Sequence, residues 1–454
     1  MQLGNSKLEF INHASVLISN NEIGLLSDPW YKGSAFNNGW KLIYENDGNE
    51  IFSMLNNKVT HIWLSHEHPD HFSIPFFKEF KDTIIKNKIK ILFQTTADKR
   101  VLSYLKANKF NCQELLFKTE YKLSKDFSII CFKDGFYDSS LLIKTGNKKI
   151  LNLNDCQVND LKTGEKIKKI TGDIDLLLTQ FSYAAWKGGE NNLTWRQKAA
   201  LDKIKSIEIQ VECFKPKYVV PFASYIYFCN LDNFYMNDSV NTAERIYKIL
   251  ENKHSEIIIM KPWQIFHFDH HDNKSSINFW NEKVNDINKN KIIKPKEMQI
   301  DVLSESFKSY RKRIFMNNNI FLMKFFYYFS PIKFFSPVYI FIEDLKKTFE
   351  VDFIKNRFLI TSKKPMLKMR SDSLFFIFKN QFGWDTINVN ARFEEMKKNG
   401  WSISTRTFAI ETLNNMGYKF NFQLLFNKSI IRLFIKTIFK VMNNLSKRQE
   451  EKKN

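Results

Sequence analysis

The opening of the chain places apolar residues in short, closely spaced runs. Residues 8–11, 15–18 and 24–26 are three such runs, and Asn20 and Asn21 separate the second from the third. Asn is frequent in tight turns because it tolerates a left-handed backbone. The pattern therefore predicts short strands joined through a hairpin.

From residue 62 to residue 260, strand patterns alternate with helical patterns. A β-branched and apolar run at residues 62–64 predicts a buried strand that leads directly into a polar cluster. Strands are also predicted at residues 89–93, 120–132, 140–144, 149–155, 173–180, 217–221 and 256–260, and helices at residues 74–81, 97–107, 197–214 and 242–252.

The last third of the chain has a different pattern. Residues 273–303 are polar, and residues 314–353 are dominated by aromatic side chains interrupted by lysines and prolines. These breaks argue against a membrane span and favour a helical core or a surface that meets an apolar partner. Residues 373–378 and 386–389 predict strands, and residues 424–442 predict a basic amphipathic helix. Such a helix packs on its own domain or lies on an anionic membrane surface.

Chemistry is concentrated directly after the strand at residues 62–64. His66 and His68 are two positions apart, so on an extended backbone both imidazoles point the same way and can share one cation. Pro69 then bends the chain, which lets Asp70 and His71 turn back toward the same place. The mixed N/O donor set suits zinc, iron or manganese. The alternative interpretation is a histidine-rich surface loop without a ligand.

The motif formed by His66, His68, Asp70 and His71 resembles the signature of the metallo-β-lactamase superfamily. That resemblance implies an α/β (α+β, four-layer) fold, an αββα sandwich, followed here by a C-terminal mixed accessory domain. It implies one or two divalent metal ions, with His66 and His68 on one metal and Asp70 and His71, the predicted catalytic residues, on a second. Two further carboxylates match the family pattern: Asp155 as the ligand that bridges two metals, and Asp28 as a carboxylate behind the ligands that orients them. Where the family has a third histidine this chain departs from the pattern, and Asp138 is the candidate oxygen ligand at that place.

A second family histidine, expected after Tyr218-Val219-Val220-Pro221, also has no counterpart, because Phe222-Ala223-Ser224-Tyr225 follows. A carboxylate in place of an imidazole gives the site a harder donor atom, which shifts its metal preference toward iron or manganese.

The resemblance can be narrowed to one group within the superfamily by Asp28-Pro29-Trp30 and the Gly/Asn-rich stretch up to Trp40. Together with the histidine cluster they look like the metallo-β-lactamase-like part of the CMP-N-acetylneuraminic acid hydroxylases and their bacterial relatives. Those enzymes carry a Rieske iron–sulfur module, which needs Cys-x-His and Cys-x-x-His pairs, and no cysteine here has such a neighbour. The module is therefore expected to be absent. The loops rich in aromatic residues and glycine are predicted to bind the substrate through Trp30, Lys32, Asn37, Trp40, Trp186 and Lys187.

Length and composition add limits. A chain of 454 residues predicts two or three domains, here a metallo-β-lactamase-fold domain at residues 1–270 and an accessory domain at residues 271–454. The net charge of +21 is carried by lysine in a chain also rich in Asn, Ile and Phe, so it indicates compositional bias and nucleic acid is not an expected partner. Five scattered cysteines and the lack of a signal-peptide pattern favour a reducing, cytoplasmic setting, with peripheral membrane contact through the tail left open.

The sequence thus predicts a metal-dependent hydrolase that acts on an anionic sugar or sugar-nucleotide-like metabolite through a metal-bound hydroxide. The alternative is an iron-dependent hydroxylase of a CMP-sialic-acid-like nucleotide sugar that receives electrons from a separate electron-transfer protein. A third interpretation is a non-catalytic binding domain.

Overall fold

A computed structural model describes residues 6–251, 255–330 and 334–427, and the chain in it divides into two compact units. The first comprises Met1–Lys296 together with Thr386–Glu394, and the second comprises Glu297–Asp385 together with Glu395–Asn454. Most of the predicted tail helix at residues 424–442 lies outside the described residues.

The first unit contains two seven-stranded sheets. Along the first sheet the order is Gln264–Phe266, Lys7–Asn12, Ser15–Ser19, Gly24–Ser27, His61–Leu64, Lys90–Gln94 and Cys112–Leu115. Along the second sheet it is Glu256–Ile257, Tyr218–Phe222, Leu176–Gln180, Lys148–Asn154, Asp138–Thr145, Phe127–Asp134 and Glu120–Ser124. A small third sheet contains Ile226–Phe228, Trp40–Leu42 and Ser34–Ala35.

The strand His61–Leu64 is buried on both faces, as a central parallel strand should be. Trp63 points into the core between the two large sheets, whereas Ile62 and Leu64 point into a second core against the outer helices. The helices are Gly48–Asn57, Ile74–Glu79, Lys81–Lys86, Arg100–Ala107, Leu161–Thr171, Leu193–Phe214, Ala243–Leu250 and Asn273–Asp286, with 3-10 turns at Phe234–Ser239 and Ile287–Lys289. This layering confirms the predicted αββα sandwich.

The end of the first unit lies further along the chain than the sequence placed it. Helix Asn273–Asp286 belongs to this unit because Trp280 is fully buried in its core, stacked on Tyr225 with ring centroids 3.9 Å apart. The indole Nε1 also donates to the carbonyl of Met260 at 2.8 Å. The division by contacts therefore falls after Lys296, compared with residue 270 in the sequence prediction.

The second unit combines a sheet with helices. Its strands are Val338–Ile342, Lys347–Asp352, Arg357–Ile360 and Leu367–Met369, and its helices are Ile300–Asn317, Ile320–Phe329, Ser371–Lys379 and Gly400–Asn415, with a 3-10 turn at Phe422–Phe426. Helix Gly383–Asn390 and strand Glu394–Glu395 lie where the chain passes between the units. Among the described residues, none of the helices is both long and apolar enough to cross a bilayer.

Two strand predictions in the last third are wrong. Residues 373–378 and 386–389 form parts of helices Ser371–Lys379 and Gly383–Asn390. In the first of these, Leu374, Ile377 and Phe378 are buried at helical spacing, three and four positions apart. A short, continuous apolar run does not distinguish a strand from a buried helix, which explains the error.

We expect Trp280→Ala to lower the free energy of unfolding by about 3–5 kcal/mol, because it removes a fully buried indole and leaves a cavity. Equilibrium urea unfolding followed by circular dichroism measures the change. Phe52, half exposed on the surface of the same unit, is the control, and Phe52→Ala should change stability by about 0.5 kcal/mol or less. Equal losses in both variants would contradict the placement of helix Asn273–Asp286.

Candidate metal centre

The site lies where strand ends from both large sheets meet. Gly24–Ser27 and His61–Leu64 are parallel neighbours with Ser27 opposite Trp63, so the residues that follow them, Asp28 and Ser65, emerge side by side. Lys148–Asn154 in the second sheet ends at the same edge and delivers Asp155. Convergence at the carboxyl ends of parallel strands is the usual location of a site in open α/β sheets.

A tight turn brings the predicted cluster back on itself. The backbone N–H groups of His71 and Phe72 both donate to the carbonyl of His68, at 3.0 and 2.7 Å. Ser73 then caps helix Ile74–Glu79 by accepting from the N–H of Phe76. Asp70 and His71 are thereby returned toward the strand end, as the bend at Pro69 suggested.

Asp28 is fully buried, and its carboxylate is surrounded by donors. Its oxygens accept from the backbone N–H and the hydroxyl of Ser65, each at 2.8 Å, and from Nδ1 of His71 at 3.1 Å. The side-chain amide of Asn154, from the second sheet, donates to the same carboxylate. Asp28 therefore fixes the tautomer of His71, with the proton on Nδ1 and the lone pair on Nε2.

Ser65 sets the tautomer of His66 in the same way. Its single hydroxyl proton is donated to Asp28, so the hydroxyl oxygen can only accept from Nδ1 of His66, 2.9 Å away. Nε2 of His66 is left with its lone pair and lies 2.9 Å from Nδ1 of His68. Two imidazole nitrogens at this distance can share one proton in a hydrogen bond. If the two rings move slightly apart, both nitrogens can instead bind one cation.

The first group of donor atoms comprises His66, His71 and Asp155, whose ligand atoms lie within 4.8 Å of one another. Nε2 of His71 is 3.5 Å from Oδ2 of Asp155. Asp138 approaches this group from its open side, with Oδ1 3.8 Å from Nε2 of His66. The structure thus brings Asp138 beside the histidines, where the sequence placed a candidate oxygen ligand.

The second group comprises Asp70, His71 and a residue that the sequence analysis did not select, His13, again with ligand atoms within 4.8 Å. Oδ2 of Asp70 is 3.4 Å from Nε2 of His13 and 3.3 Å from Nε2 of His71. His71 therefore belongs to both groups, and because its Nε2 carries a single lone pair it can hold an ion in only one of them at a time.

His13 lies next to the segment after which the resemblance implied a histidine. It lies between the first two strands with φ of 37°, and its carbonyl accepts from the N–H of Ala223 at 2.7 Å. Ala223 follows the strand Tyr218–Phe222, after which the resemblance implied a histidine. The available signal was a polar Asn12-His13 pair between two strands of almost continuous apolar character.

The charge state of the site favours a cation. Burial lowers the pKa of His66 and of His68 to about 4, so both are neutral ligands at neutral pH. Burial by itself raises the pKa of Asp155, but the neighbouring His71 lowers it to about 2. Asp70 behaves in the same way: the charges of His71 and His13 outweigh burial and hold its pKa well below the usual range.

His71 responds to these carboxylates in the opposite direction. Burial lowers its pKa, but the surrounding carboxylates, Asp70 first and then Asp155, raise it well above the usual value. Since its Nδ1 proton is donated to Asp28, positive charge is favoured at Nε2. A proton there or a metal ion meets that requirement.

Orphaned polar atoms test whether a metal fits. Nε2 of His71 and Oδ1 of Asp70 are buried and have no hydrogen-bond partner within the described part of the chain. Buried polar atoms without a partner are rare in folded proteins, and a bound ion can satisfy them. Imidazole and carboxylate donors converging on the same space therefore fit one or two divalent ions.

Several of the residues predicted to bind substrate are buried or already paired with other protein groups. Trp30, Trp40 and Trp186 are buried, with Trp30 against His13 and Trp186 stacked on Phe393, so little of each ring remains for a ligand. Lys32 forms an ion pair with Glu79 at 2.9 Å. For these residues and for Asn37, whose carbonyl accepts from Arg392 at 3.0 Å, a role in substrate binding stays a prediction.

Arg392 belongs to Thr386–Glu394, the distant segment that completes the first unit. Its guanidinium is buried and pairs with Asp232 at 3.1 Å. The side chain of Asn390 donates to the carbonyl of Phe36 at 2.8 Å. Because the ring of Phe36 lies 5.6 Å from that of His68, this segment braces the loop beside the metal ligands.

Lys203 brings positive charge toward Asp155, and Lys187 lies near Lys203. The ammonium of Lys203 donates to Oε1 of Gln180, whose Nε2 donates in turn to Asp155 at 3.1 Å. Burial and the Lys203 charge lower the pKa of Lys187 to about 8. No carboxylate lies within ion-pairing distance of Lys187 in the part of the chain that the structure describes.

Comparison with known proteins agrees with the resemblance in the sequence. The CMP-N-acetylneuraminic acid hydroxylase of Danio rerio is 24% identical over 241 residues, covering 50% of this chain and 39% of that protein. The Mus musculus hydroxylase is 23% identical over 275 residues, covering 58% and 46%. The chain thus spans less than half the length of these two relatives, and no family model matches it.

Solved structures with a similar fold include CmlA, a diiron β-hydroxylase from Streptomyces venezuelae, at 13% identity and a TM-score of 0.37, covering 64% of this chain and 53% of that one. Another is the metallo-β-lactamase-fold protein YhfI from Bacillus subtilis, at 12% identity and a TM-score of 0.38, covering 57% and 98%. Because these TM-scores are low, the description of the fold depends on the order of the strands in the two sheets of this chain.

We expect His13→Gln to reduce the metal bound per chain, or to weaken its binding about 10–100-fold, because it removes an imidazole from the group that contains Asp70. Metal content by mass spectrometry after equilibration with limiting metal measures the change. His267→Gln, at an exposed histidine, is the matched control. Unchanged metal content in a folded His13→Gln protein would show that His13 only supports the loop at Ala223.

Proposed function

We propose that this metallo-β-lactamase-fold protein is a metal-dependent hydrolase of an anionic sugar or sugar-nucleotide-like metabolite. One observation carries the proposal: two donor groups share His71, and buried ligand atoms in them are left without hydrogen bonds. A purely structural polar cluster would be expected to satisfy its own atoms.

The residues that would hold metal are His13, His66, His68, Asp70, His71, Asp138 and Asp155. A divalent ion held there supplies hydroxide at neutral pH by lowering the pKa of a bound water, and it polarises the bond to be cleaved. Asp28 and Ser65 keep the lone pairs of His66 and His71 directed into the site. Asp138 and Asp155, with 27% and 22% of their side chains exposed, lie on the side open to a substrate.

Lys187 and Lys203 support an anionic substrate. Lys203 is connected to Asp155 through Gln180, and Lys187 is close enough to Lys203 for the two charges to repel. A half-buried ammonium without a counter-ion, as at Lys187, is unfavourable, and a phosphate or carboxylate of the substrate would supply the missing charge. Lys187 and Lys203 would therefore bind the anionic group while the metal ligands lie against the bond that reacts.

A second candidate is an iron-dependent hydroxylase of a CMP-sialic-acid-like nucleotide sugar with a separate electron donor. Asp138 favours it, because a carboxylate in place of imidazole shifts the site toward iron. The named function of the sequence relatives supports the same candidate.

Metal analysis separates the two candidates. For the hydrolase, we expect protein purified without added metal to contain zinc or manganese and to cleave an anionic ester, lactone or phosphodiester substrate. His66→Ala combined with His68→Ala should lower kcat/KM at least about 100-fold. Stoichiometric iron without any hydrolysis would reject the hydrolase and favour the hydroxylase. No bound metal, with stability unchanged in the double variant, would leave a binding domain only.

Substrate affinity should depend on pH through Lys187. This lysine is charged below its pKa of about 8 and neutral above it, so KM for an anionic ester should rise as the pH passes from 7 to 9. Lys187→Arg keeps the charge at all these pH values and should flatten the rise. Lys198→Arg, on the exposed side of helix Leu193–Phe214, is the control. A rise in KM that persists unchanged in Lys187→Arg would exclude Lys187 as its source.

A further inference from the structure

The second unit has a helix whose outward face is aromatic. In Ile320–Phe329, the side chains of Phe321, Phe325, Tyr328 and Phe329 are 83%, 56%, 61% and 72% exposed. These positions are three or four residues apart and so share one side of the helix. We call these four residues the aromatic face. Single exposed apolar residues are ordinary, but four large rings on three turns are not.

The opposite side of this helix is firmly packed. Leu322 and Met323 are buried, the ring of Phe326 lies 5.5 Å from that of Phe420, and the hydroxyl of Tyr327 donates to Asp352 at 2.7 Å. Asn319 caps the first turn by accepting from the N–H of Leu322. The orientation of the helix is therefore fixed by its own unit, and the aromatic face is left outward by that packing.

A cationic cleft lies on the preceding helix, Ile300–Asn317. The cleft has a volume of about 430 Å³ and is lined by Lys308, Arg311, Lys312, Phe315, Met316 and Asn356, with no acidic side chain among these residues. Met316, at its edge, is 73% exposed.

Two more lysines extend this positive charge to the aromatic rings themselves. Lys355, next to Asn356 of the cleft, places its ammonium 5.4 Å from the ring centre of Tyr327 and 5.8 Å from that of Tyr328. Lys324 lies within the exposed side of the helix. We call Lys308, Arg311, Lys312, Lys324 and Lys355 the basic rim.

We propose that the aromatic face and the basic rim form a docking surface for an anionic lipid bilayer. Aromatic rings enter the boundary between headgroups and acyl chains, and lysine and arginine side chains bury their stems while their charges reach lipid phosphates. Each cation near an anionic membrane adds to the attraction. The combination of exposed rings with positive charge complements an anionic bilayer, and it does not depend on the function proposed for the metal centre.

Vesicle sedimentation with the full chain tests this surface. We expect the protein to sediment with phosphatidylcholine vesicles that contain phosphatidylserine and to remain in solution with phosphatidylcholine alone. Binding should fall when salt is raised to about 0.5 M, because screening removes the attraction. Phe321→Ser, Phe325→Ser and Phe329→Ser combined should weaken binding about tenfold or more, and Lys308→Glu with Lys312→Glu should do the same.

Matched variants control for general apolarity and charge. Leu193→Ser with Leu201→Ser removes two exposed apolar side chains from a helix of the first unit, and Lys162→Glu with Lys166→Glu reverses two exposed lysines at the same four-residue spacing on another helix. Both should bind as the unaltered protein does. Failure of the unaltered protein to bind, or equal loss in control and test variants, would overturn the proposal. So would gel filtration showing that the aromatic substitutions convert a dimer into a monomer, since the face would then be a protein interface.

Discussion

The site depends on the hydrogen bonds that the buried carboxylate of Asp28 accepts. A charge removed from water is stable only when donors surround it, and Asp28 has donors from its neighbouring strand, from the histidine turn and from the second sheet. The same contact holds His71 in one tautomer and links the two sheets at their shared edge. Replacing any one donor would leave a buried charge short of a partner, which costs more than the loss of one exposed hydrogen bond.

His71 lies between the two groups of donor atoms because Asp28 fixes the orientation of its ring. Asp28 accepts a hydrogen bond from one ring nitrogen of His71, so the other nitrogen faces Asp70 and Asp155. Two carboxylates beside one lone pair favour the binding of a positive charge there. His13, from the start of the chain, places an imidazole beside Asp70 although no histidine directly follows Pro221. Because His13 and Asp70 come from loops far apart in the sequence, no spacing motif joins them.

The loops beside the metal ligands are fixed at a distance in sequence. Arg392 and Asn390 lie more than three hundred residues beyond Asn37 and Phe36, yet they hold that loop through buried hydrogen bonds. The aromatic rings of the loop therefore contribute mainly to packing. In the second unit, by contrast, packing on one side of helix Ile320–Phe329 leaves four rings exposed.

The sequence by itself determined the features that depend on local pattern: the first strands, the alternation of helix and strand, and the His66 to His71 cluster, because spacing and burial periodicity are written along the chain. It failed at residues 373–378 and 386–389, where a short apolar run fits either a helix or a strand. Only the tertiary structure decided that His13 meets Asp70 and that Lys203 is connected to Asp155 through Gln180. These contacts join residues far apart in the chain, and strand register and loop closure, which bring them together, leave no periodic trace in a single sequence.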